Sequence, residues 1–163
     1  MEETGPLMTP AAANDHMGLA LAEAKAAAAR GEVPVGAVVV GPDGQVLARA
    51  GNRTRELNDP TAHAEILAIR AAAAALGSER LTGCDLYVTL EPCPMCAAAI
   101  SFARIRRLYF GAADPKGGGV VHGPRIYNHA TCHHTPDVYD RLGEAEAAEL
   151  LKTFFAVRRQ SGG

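Results

Sequence analysis

The chain has no long apolar run, and this absence excludes one class of protein. It contains 163 residues, and no stretch approaches the ~20 consecutive apolar residues that a membrane-spanning helix requires. The first ten residues include two acidic side chains and two prolines, and they lack the basic segment that opens a secretory signal. We therefore expect a cytoplasmic protein with no membrane partner.

Cysteines are few and unevenly spaced. The four of them, at positions 84, 93, 96 and 132, do not form the regular pattern of a disulfide framework. In a chain of this size without an export signal, the close pair Cys93 and Cys96 indicates metal or redox chemistry instead.

The chain also lacks a broad excess of basic charge. Its formal net charge of −2 argues against a protein that coats nucleic acid with its whole surface. The charge is nevertheless uneven, because residues 1–100 carry 7 basic and 12 acidic side chains, whereas residues 101–163 carry 9 basic and 6 acidic ones. A polyanionic partner is therefore expected to bind the C-terminal third.

Helix and strand signals predict one domain without internal repeats. Apolar residues make up 48% of the chain, which is enough to build a core. We expect residues 1–13 to be a disordered lead-in and residues 14–160 to form a single domain. Caps, turn residues and hydrophobic spacing predict these elements: a helix from Asn14 or Asp15 to Gly31, strands 33–40 and 45–50, helix 64–76, strand 85–90, helix 94–103, strand 106–111 and helix 143–159. Strands flanked by helices on both faces make a three-layer α/β/α domain around a central mixed sheet.

Two short motifs carry the chemistry. Residues 63–65 read His-Ala-Glu at the start of the second helix, and residues 92–96 read Pro-Cys-Pro-Met-Cys where a buried strand meets the third helix. Thiolates are favoured at a helix N-terminus, where Cys93 and Cys96 lie three residues apart. With the imidazole of His63 they supply three ligands, the number typical of a catalytic zinc that keeps its fourth position for water.

Glu65 lies two residues after the predicted histidine ligand and is better placed as a base than as a further ligand. Zinc lowers the pKa of a bound water from about 15.7 toward 7, so that a nearby carboxylate can take the proton. Either motif alone permits other interpretations, because a Cys-x-x-Cys pair also occurs in redox centres and in structural zinc sites. Together, at two helix starts, the motifs favour catalytic zinc.

The combined pattern resembles the cytidine deaminase superfamily, whose zinc signature is His-x-Glu followed by Pro-Cys-x-x-Cys. Within it, the chain resembles the bacterial tRNA adenosine deaminases from about Met17 to Gln160. The stretches that carry this resemblance are residues 33–38, 59–65, 86–93, 110–116 and 154–159.

The resemblance implies hydrolytic conversion of the wobble adenosine in a tRNA anticodon stem-loop to inosine, by a homodimer with one zinc ion per chain. For the contact between the two chains, the Ala-rich third helix offers a small-residue face made by Ala97, Ala98, Ala99 and Ile100. Glu65 would carry protons between a zinc-activated water, N1 of adenine and the leaving ammonia. The resemblance also assigns substrate contacts to Asn52, to the backbone of Ala64 and to the segment from Asp114 to Lys116. The basic charge of the C-terminal third adds Arg158 and Arg159 at the end of the last helix.

Two other functions remain open from the sequence. A deaminase of a free base such as guanine or cytosine would share both zinc motifs, and only residues 114–116 and the basic last helix favour RNA over it. A non-catalytic RNA-binding subunit would be expected to lack Glu65. The stretch 117–135 has no assigned role, and its residues Cys132, His133 and His134 are interpreted as a histidine-rich surface loop rather than as a second metal site.

Overall fold

One five-stranded sheet organises the chain, which the computed structural model describes over residues 10–161. The elements in chain order are α1 (Pro10–Ala29), β1 (Gly36–Val40), β2 (Val46–Gly51), α2 (Ala64–Leu76), β3 (Asp85–Leu90), α3 (Pro94–Phe102), β4 (Arg107–Ala112), a short 3₁₀ turn (Ile126–Asn128), β5 (Asp137–Tyr139) and α4 (Glu144–Ser161). None of the helices among the described residues is both long enough and apolar enough to cross a bilayer.

The sheet is mixed, as predicted, and its strand order is β2-β1-β3-β4-β5. β1 is antiparallel to both β2 and β3, whereas β3, β4 and β5 are mutually parallel neighbours. Parallel strands end at the same edge of a sheet, and here Leu90 pairs with Ala112 at the ends of β3 and β4. The residues that follow these two strands therefore meet at one edge, and the site is built there.

Helices cover both faces of the sheet, which confirms the three-layer α/β/α prediction. α2 and α3 pack on one face over a core that includes Val39 and Leu86, and α1 and α4 pack on the other face over Val38 and Tyr87. α1 lies directly on the sheet because Gly36 and Gly51 face each other across the β1–β2 ladder. A Cβ atom at Gly51 would come within 2.8 Å of a carbonyl of α1, so a larger residue would push the helix away.

The ends of several elements differ from the sequence prediction. α1 begins at Pro10, so the prediction of an N-cap at Asn14 or Asp15 is wrong. Residues 10–13 of the predicted lead-in are helical, and residues 1–9 lie outside the described residues. The first strand begins at Gly36 rather than at residue 33, because the preceding stretch turns with a hydrogen bond from the N–H of Val35 to the carbonyl of Val33.

The sequence prediction also missed β5. This strand has three residues, and only the middle one is partly buried, so it carries no alternation that a pattern search could detect. It pairs with β4 at the edge of the sheet and closes the long loop that begins at residue 113.

Candidate active site

Three potential metal ligands meet at the starts of two helices. His63 is the N-cap of α2 and Cys93 is the N-cap of α3. The turn before His63 is fixed by Asp59, whose carboxylate accepts hydrogen bonds from the N–H and the hydroxyl of Thr61 at 2.9 and 2.7 Å. The ligand atoms of His63, Cys93 and Cys96 lie within 4.8 Å of one another, and they form the one such group of three among the described residues.

The separations between these atoms fit a tetrahedral zinc ion. Nδ1 of His63 is 3.6 Å from Sγ of Cys93 and 3.4 Å from Sγ of Cys96. A nitrogen at about 2.0 Å and a sulfur at about 2.3 Å from one tetrahedral ion are about 3.5 Å apart. The residues present therefore match zinc in donor type, number and spacing, and they leave a fourth position open.

In the zinc-free protein the local electrostatics favour the ionised form of one cysteine, Cys93. The N–H of Cys96 points at Sγ of Cys93 across 3.5 Å. Hydrogen bonds from the Cys96 thiol and then from His63 lower the pKa of Cys93 to about 4 despite partial burial. The same contact with Cys93 raises the pKa of Cys96 and that of His63. Cys93 is thus the thiolate of the group, as expected at a helix N-terminus.

Glu65 lies in the first turn of α2 and is 4% exposed. Burial raises the pKa of its carboxyl group to about 7, against the opposing influence of its own N–H and of His63. It is outside the set of three ligand atoms, as the sequence predicted. A buried carboxyl group with a pKa near neutrality is suited to both taking and giving a proton.

Asn52 follows β2 and contacts the start of α2 directly. Its Oδ1 accepts a hydrogen bond from the N–H of Ala64 at 2.8 Å, and both residues are buried. Asn52 therefore satisfies a free N–H of the helix start, where His63 provides no side-chain cap. With Oδ1 bonded to the helix, the amide group of Asn52 is the donor it can present to a substrate.

Glu32 is a supporting residue that the sequence reasoning missed. It is 2% exposed and lies just after α1. Its carboxylate accepts hydrogen bonds from the N–H groups of Arg55 and Glu56 at 3.2 and 2.8 Å. Glu32 thereby holds the loop between β2 and α2, on which Asn52 lies.

Glu91 was also missed, although it directly precedes the second motif. It is 2% exposed, and its carboxylate accepts hydrogen bonds from the segment that follows β4. Burial opposes its charge, but the bonds from the N–H of Asp114 and from His122 outweigh burial and lower the pKa of Glu91. The sequence did offer one signal for Glu91, because it is an acidic residue that directly follows a buried strand.

The predicted RNA-contacting residues lie on two adjacent elements. Asp114 accepts a hydrogen bond from the N–H of Gly117 at 2.9 Å, and Lys116 is exposed at the tip of the same turn. Asp114 and Lys116 line a cleft of about 480 Å³ together with Leu151 and Phe155 of α4. The turn after β4 and the last helix thus form one surface.

The two arginines at the end of α4 differ in their surroundings. Arg158 lies over the ring of Phe154 and donates a hydrogen bond to the carbonyl of Gly31 at 3.4 Å. Arg159 is exposed. Arg158 therefore connects α4 to the end of α1, a contact that the sequence did not predict.

The Cys-His-His stretch fastens its loop to α3. Sγ of Cys132 is 3.3 Å from Oγ of Ser101, whose hydroxyl donates to the carbonyl of His134. Nε2 of His134 bonds to the carbonyl of Ile105 at 2.7 Å. Over residues 10–161 this stretch belongs to no group of three potential ligands.

One histidine and two cysteines beside a buried glutamate, at the edge of a sheet between two helix layers, are the arrangement of zinc-dependent nucleobase deaminases. Residues 11–112 match the family model of the cytidine and deoxycytidylate deaminase zinc-binding region. The chain is 67% identical to the tRNA-specific adenosine deaminase of Agrobacterium fabrum over 88% of this chain and 93% of that protein. The chain belongs to the cytidine and deoxycytidylate deaminase family and, within it, to the tRNA-specific adenosine deaminases.

Solved structures agree with this assignment. One from studies of A-to-I editing by tRNA:A34 deaminases at the wobble position of transfer RNA has a TM-score of 0.83 and 68% identity, over 84% of this chain and 99% of that chain. A guanine deaminase from Nitrosomonas europaea has a TM-score of 0.75 and 26% identity, over 88% of this chain and 84% of that chain. The fold is therefore shared with an enzyme named for a free base, and the identity to that enzyme is 26%, against 68% to the structure from the tRNA deaminase studies.

Proposed function

We propose that the protein hydrolyses the wobble adenosine of a tRNA anticodon stem-loop to inosine and ammonia. The observation that carries the proposal is the site itself. The three ligand atoms lie within 4.8 Å of one another, and Glu65 is buried in the helix turn that follows His63. The identity of 67% with a tRNA-specific adenosine deaminase supports the RNA substrate. A cytoplasmic location is proposed on the same ground, because a tRNA is available there.

One zinc ion per chain would be held by His63, Cys93 and Cys96. When bound, zinc supplies a strong positive charge that makes an adjacent water a better nucleophile at neutral pH. Nδ1 of His63 and the two sulfur atoms lie at the separations that this ion requires. The low pKa of Cys93 favours the ionised form that a metal binds.

Glu65 would carry the protons of the reaction. Its carboxylate takes one proton from the attacking water and delivers it to N1 of adenine while oxygen bonds to C6. It then passes the second proton to the amino group, which leaves as ammonia. The proposal is supported by the burial of Glu65 in the first turn of α2, two residues after the proposed zinc ligand His63.

Asn52 and the backbone of Ala64 would recognise the extruded nucleoside. A base taken out of an RNA loop loses its stacking and pairing partners, so the pocket must replace them. Asn52 is held rigidly by its hydrogen bond to Ala64, and this places its amide group beside the start of α2. Rigid placement favours discrimination among bases.

The surface formed by the 114–116 turn and α4 would contact the RNA backbone. Lys116 is exposed at the edge of the cleft that joins these elements. Arg159 adds a second cation, on α4. The neighbouring Arg158 already binds the carbonyl of Gly31 and lies over the ring of Phe154. Separated cations on one face suit the repeated phosphates of a stem-loop.

We also propose a homodimer, in which α3 offers only part of the face expected from the sequence, since Ala98 and Ala99 are partly exposed and two other residues are not. The sequence suggested a small-residue face made by Ala97, Ala98, Ala99 and Ile100. Ala97 and Ile100 are instead fully buried in the chain's own core, so they cannot contact another chain. The exposed face of α3 carries Phe102, which is 78% exposed, and Met95, which is 36% exposed.

This face is a candidate for contact with a second copy. Phe102 borders a cleft of about 340 Å³ between α3 and the loop that contains Ile126 and Cys132. Met95 and Phe102 are two turns apart on one side of α3, and exposed apolar side chains that lie together are typical of an interface. Light scattering at micromolar concentration should give the mass of a dimer, and Phe102→Glu should shift it to a monomer.

The central experiment compares substrates. Purified protein loaded with zinc is incubated with a tRNA anticodon stem-loop that carries adenosine at the wobble position, and with free adenosine, guanine and cytosine, while ammonia is measured. We expect release from the stem-loop alone, and none when inosine replaces the wobble adenosine. Faster turnover of guanine or cytosine would identify a free-base deaminase instead.

A further inference from the structure

Glu91 is not one of the three candidate metal ligands, yet its carboxylate accepts an unusually large set of hydrogen bonds. Its Oε2 accepts from the N–H groups of Val120, Val121 and His122 at 3.2, 3.0 and 3.1 Å. Its Oε1 accepts from the N–H of Asp114 at 3.0 Å and contacts Nδ1 of His122 at 2.8 Å. Residues 114–122, called the 114–122 segment below, thus fold around one buried carboxylate.

The segment is shaped to this carboxylate. Three consecutive N–H groups that converge on one oxygen form a concave anion site, and here the anion is part of the chain itself. Gly118 is needed at the contact, because a Cβ atom there would overlap the carboxylate of Glu91. The arrangement therefore depends on residues far apart in sequence that fit one another closely.

The same segment is joined to the turn that carries the predicted cysteine ligand. The N–H of Glu91 donates to the carbonyl of Ala112, and the N–H of Gly119 donates to the carbonyl of Pro92, both at 2.8 Å. A Cβ atom at Gly119 would come within 2.6 Å of the backbone of Pro94. The segment and the start of α3 thus hold each other in place.

We propose that Glu91 is a positioning residue for RNA: it fixes the two ends of the turn that presents Lys116 to the substrate. Lys116 lies between Asp114 and Val120, which are both bonded to the carboxylate. The inference rests on the proposed function, since it concerns how that substrate is bound. Glu91 acts on the affinity for the stem-loop and leaves the chemical step to Glu65.

The test variant is Glu91→Gln, which keeps the shape of the side chain. The glutamine amide has a single oxygen, which can occupy the position of either Oε1 or Oε2. We expect it at the Oε2 position, where three N–H groups donate hydrogen bonds. The NH₂ group must then face the N–H of Asp114, which loses its acceptor. We expect KM for the stem-loop to rise by roughly fivefold or more, with kcat within about twofold of the wild-type value and zinc content unchanged.

A double-mutant cycle with Lys116→Ala tests the route of the effect. If Glu91 acts by placing Lys116, the two changes in KM are less than additive, because either one removes the same contact. Glu23→Gln is the matched control, because the carboxylate of Glu23 binds the exposed Arg49 at 2.7 Å. This control should change neither KM nor kcat.

Two results would overturn the inference. One is an unchanged KM in Glu91→Gln. The other is a fall in kcat accompanied by loss of zinc, which would mean that Glu91 supports the metal site rather than the RNA-contacting turn. If Glu91→Gln fails to fold, His122→Ala removes only the ring that contacts Oε1 and leaves the backbone donors. It should raise KM by a smaller factor than expected for Glu91→Gln, and an unchanged KM in this variant would count against the proposal.

Hydrogen exchange separates this inference from the proposed function. In the wild type the amides of Asp114, Val120, Val121 and His122 should be protected, and in Glu91→Gln the amide of Asp114 should lose most of its protection. This readout requires no substrate. If the wild type does not deaminate the stem-loop, the proposed function fails, while the exchange result still decides whether Glu91 holds the segment.

Discussion

Replacing Glu65 by glutamine should separate proton transfer from every other property of the site. The amide has the same shape and cannot shuttle a proton, so we expect kcat for the stem-loop to fall by a factor of about 10² to 10⁴. Zinc content should be unchanged, because Glu65 lies outside the three ligand atoms. KM should change little, since the residues proposed to bind RNA are untouched.

The burial of Glu65 also predicts a pH-dependent change in stability. In the zinc-free protein its pKa is raised from 4.5 to about 7, so the native state binds this proton more tightly than the unfolded chain. The stabilisation is fully present below about pH 4.5 and is lost as the pH rises to about 7. At 1.36 kcal/mol per pKa unit, the loss is about 3 kcal/mol. The glutamine variant carries no such proton and escapes this loss.

Urea unfolding with a chelator present measures the effect. The free energy of unfolding of Glu65→Gln minus that of the wild type should increase by about 2 to 3 kcal/mol between pH 5 and pH 8. The control is Glu79→Gln, which alters an exposed carboxylate and should show no such increase. A difference that does not vary with pH would show that Glu65 is hydrated, and loss of zinc in the variant would show that it is a ligand.

Four further variants test the remaining assignments. His63→Ala should release the zinc as measured by atomic absorption, whereas changing residues 132–134 together should leave one zinc ion per chain. Asn52→Ala should lower turnover at least tenfold with zinc retained, since it removes a base contact and the acceptor for Ala64; activity within twofold of wild type would exclude Asn52. Arg159→Ala should raise KM and reduce the slope of log K against log salt by about 0.7 to 0.9, and an unchanged slope would place it away from the RNA.

The sequence was sufficient to bring together the three candidate metal ligands, because each of them is placed by its own local structure. α3 begins at Pro94, with Cys93 directly before it as the N-cap and Cys96 one helical turn after Cys93. His63 and Glu65 likewise lie at the start of a helix whose bounds, residues 64–76, were predicted correctly. Local capping and hydrophobic spacing fix such positions without knowledge of the rest of the fold.

The supporting contacts could not be predicted, because they join residues far apart in the chain. Glu91 bonds to His122, 31 residues away, and Glu32 bonds to Glu56, 24 residues away. The loops involved have no periodicity, so their paths depend on the acceptors they meet. For the same reason the sequence did not show that Ala97 and Ile100 face the core rather than a partner.

Comparison of four buried carboxylates supports Glu65 as the proposed proton carrier. Each is 4% exposed or less. Glu32 accepts hydrogen bonds from two backbone N–H groups, and Glu91 accepts hydrogen bonds from four. Asp85 pairs with Arg106 through two hydrogen bonds. The hydrogen bonds of these three carboxylates hold a loop, a segment or an arginine in place, so each of them has a structural role.

Glu65 has no comparable set of donors. The influences that favour its charge are its own N–H, His63 and Cys96, and burial outweighs them. Its protonation therefore changes no loop and breaks no ion pair among the described residues. A carboxyl group that gains and loses a proton in each turnover must be able to do so without moving its surroundings. The fold meets this requirement by using Glu32, Asp85 and Glu91 to hold the structure and by leaving Glu65 free to react.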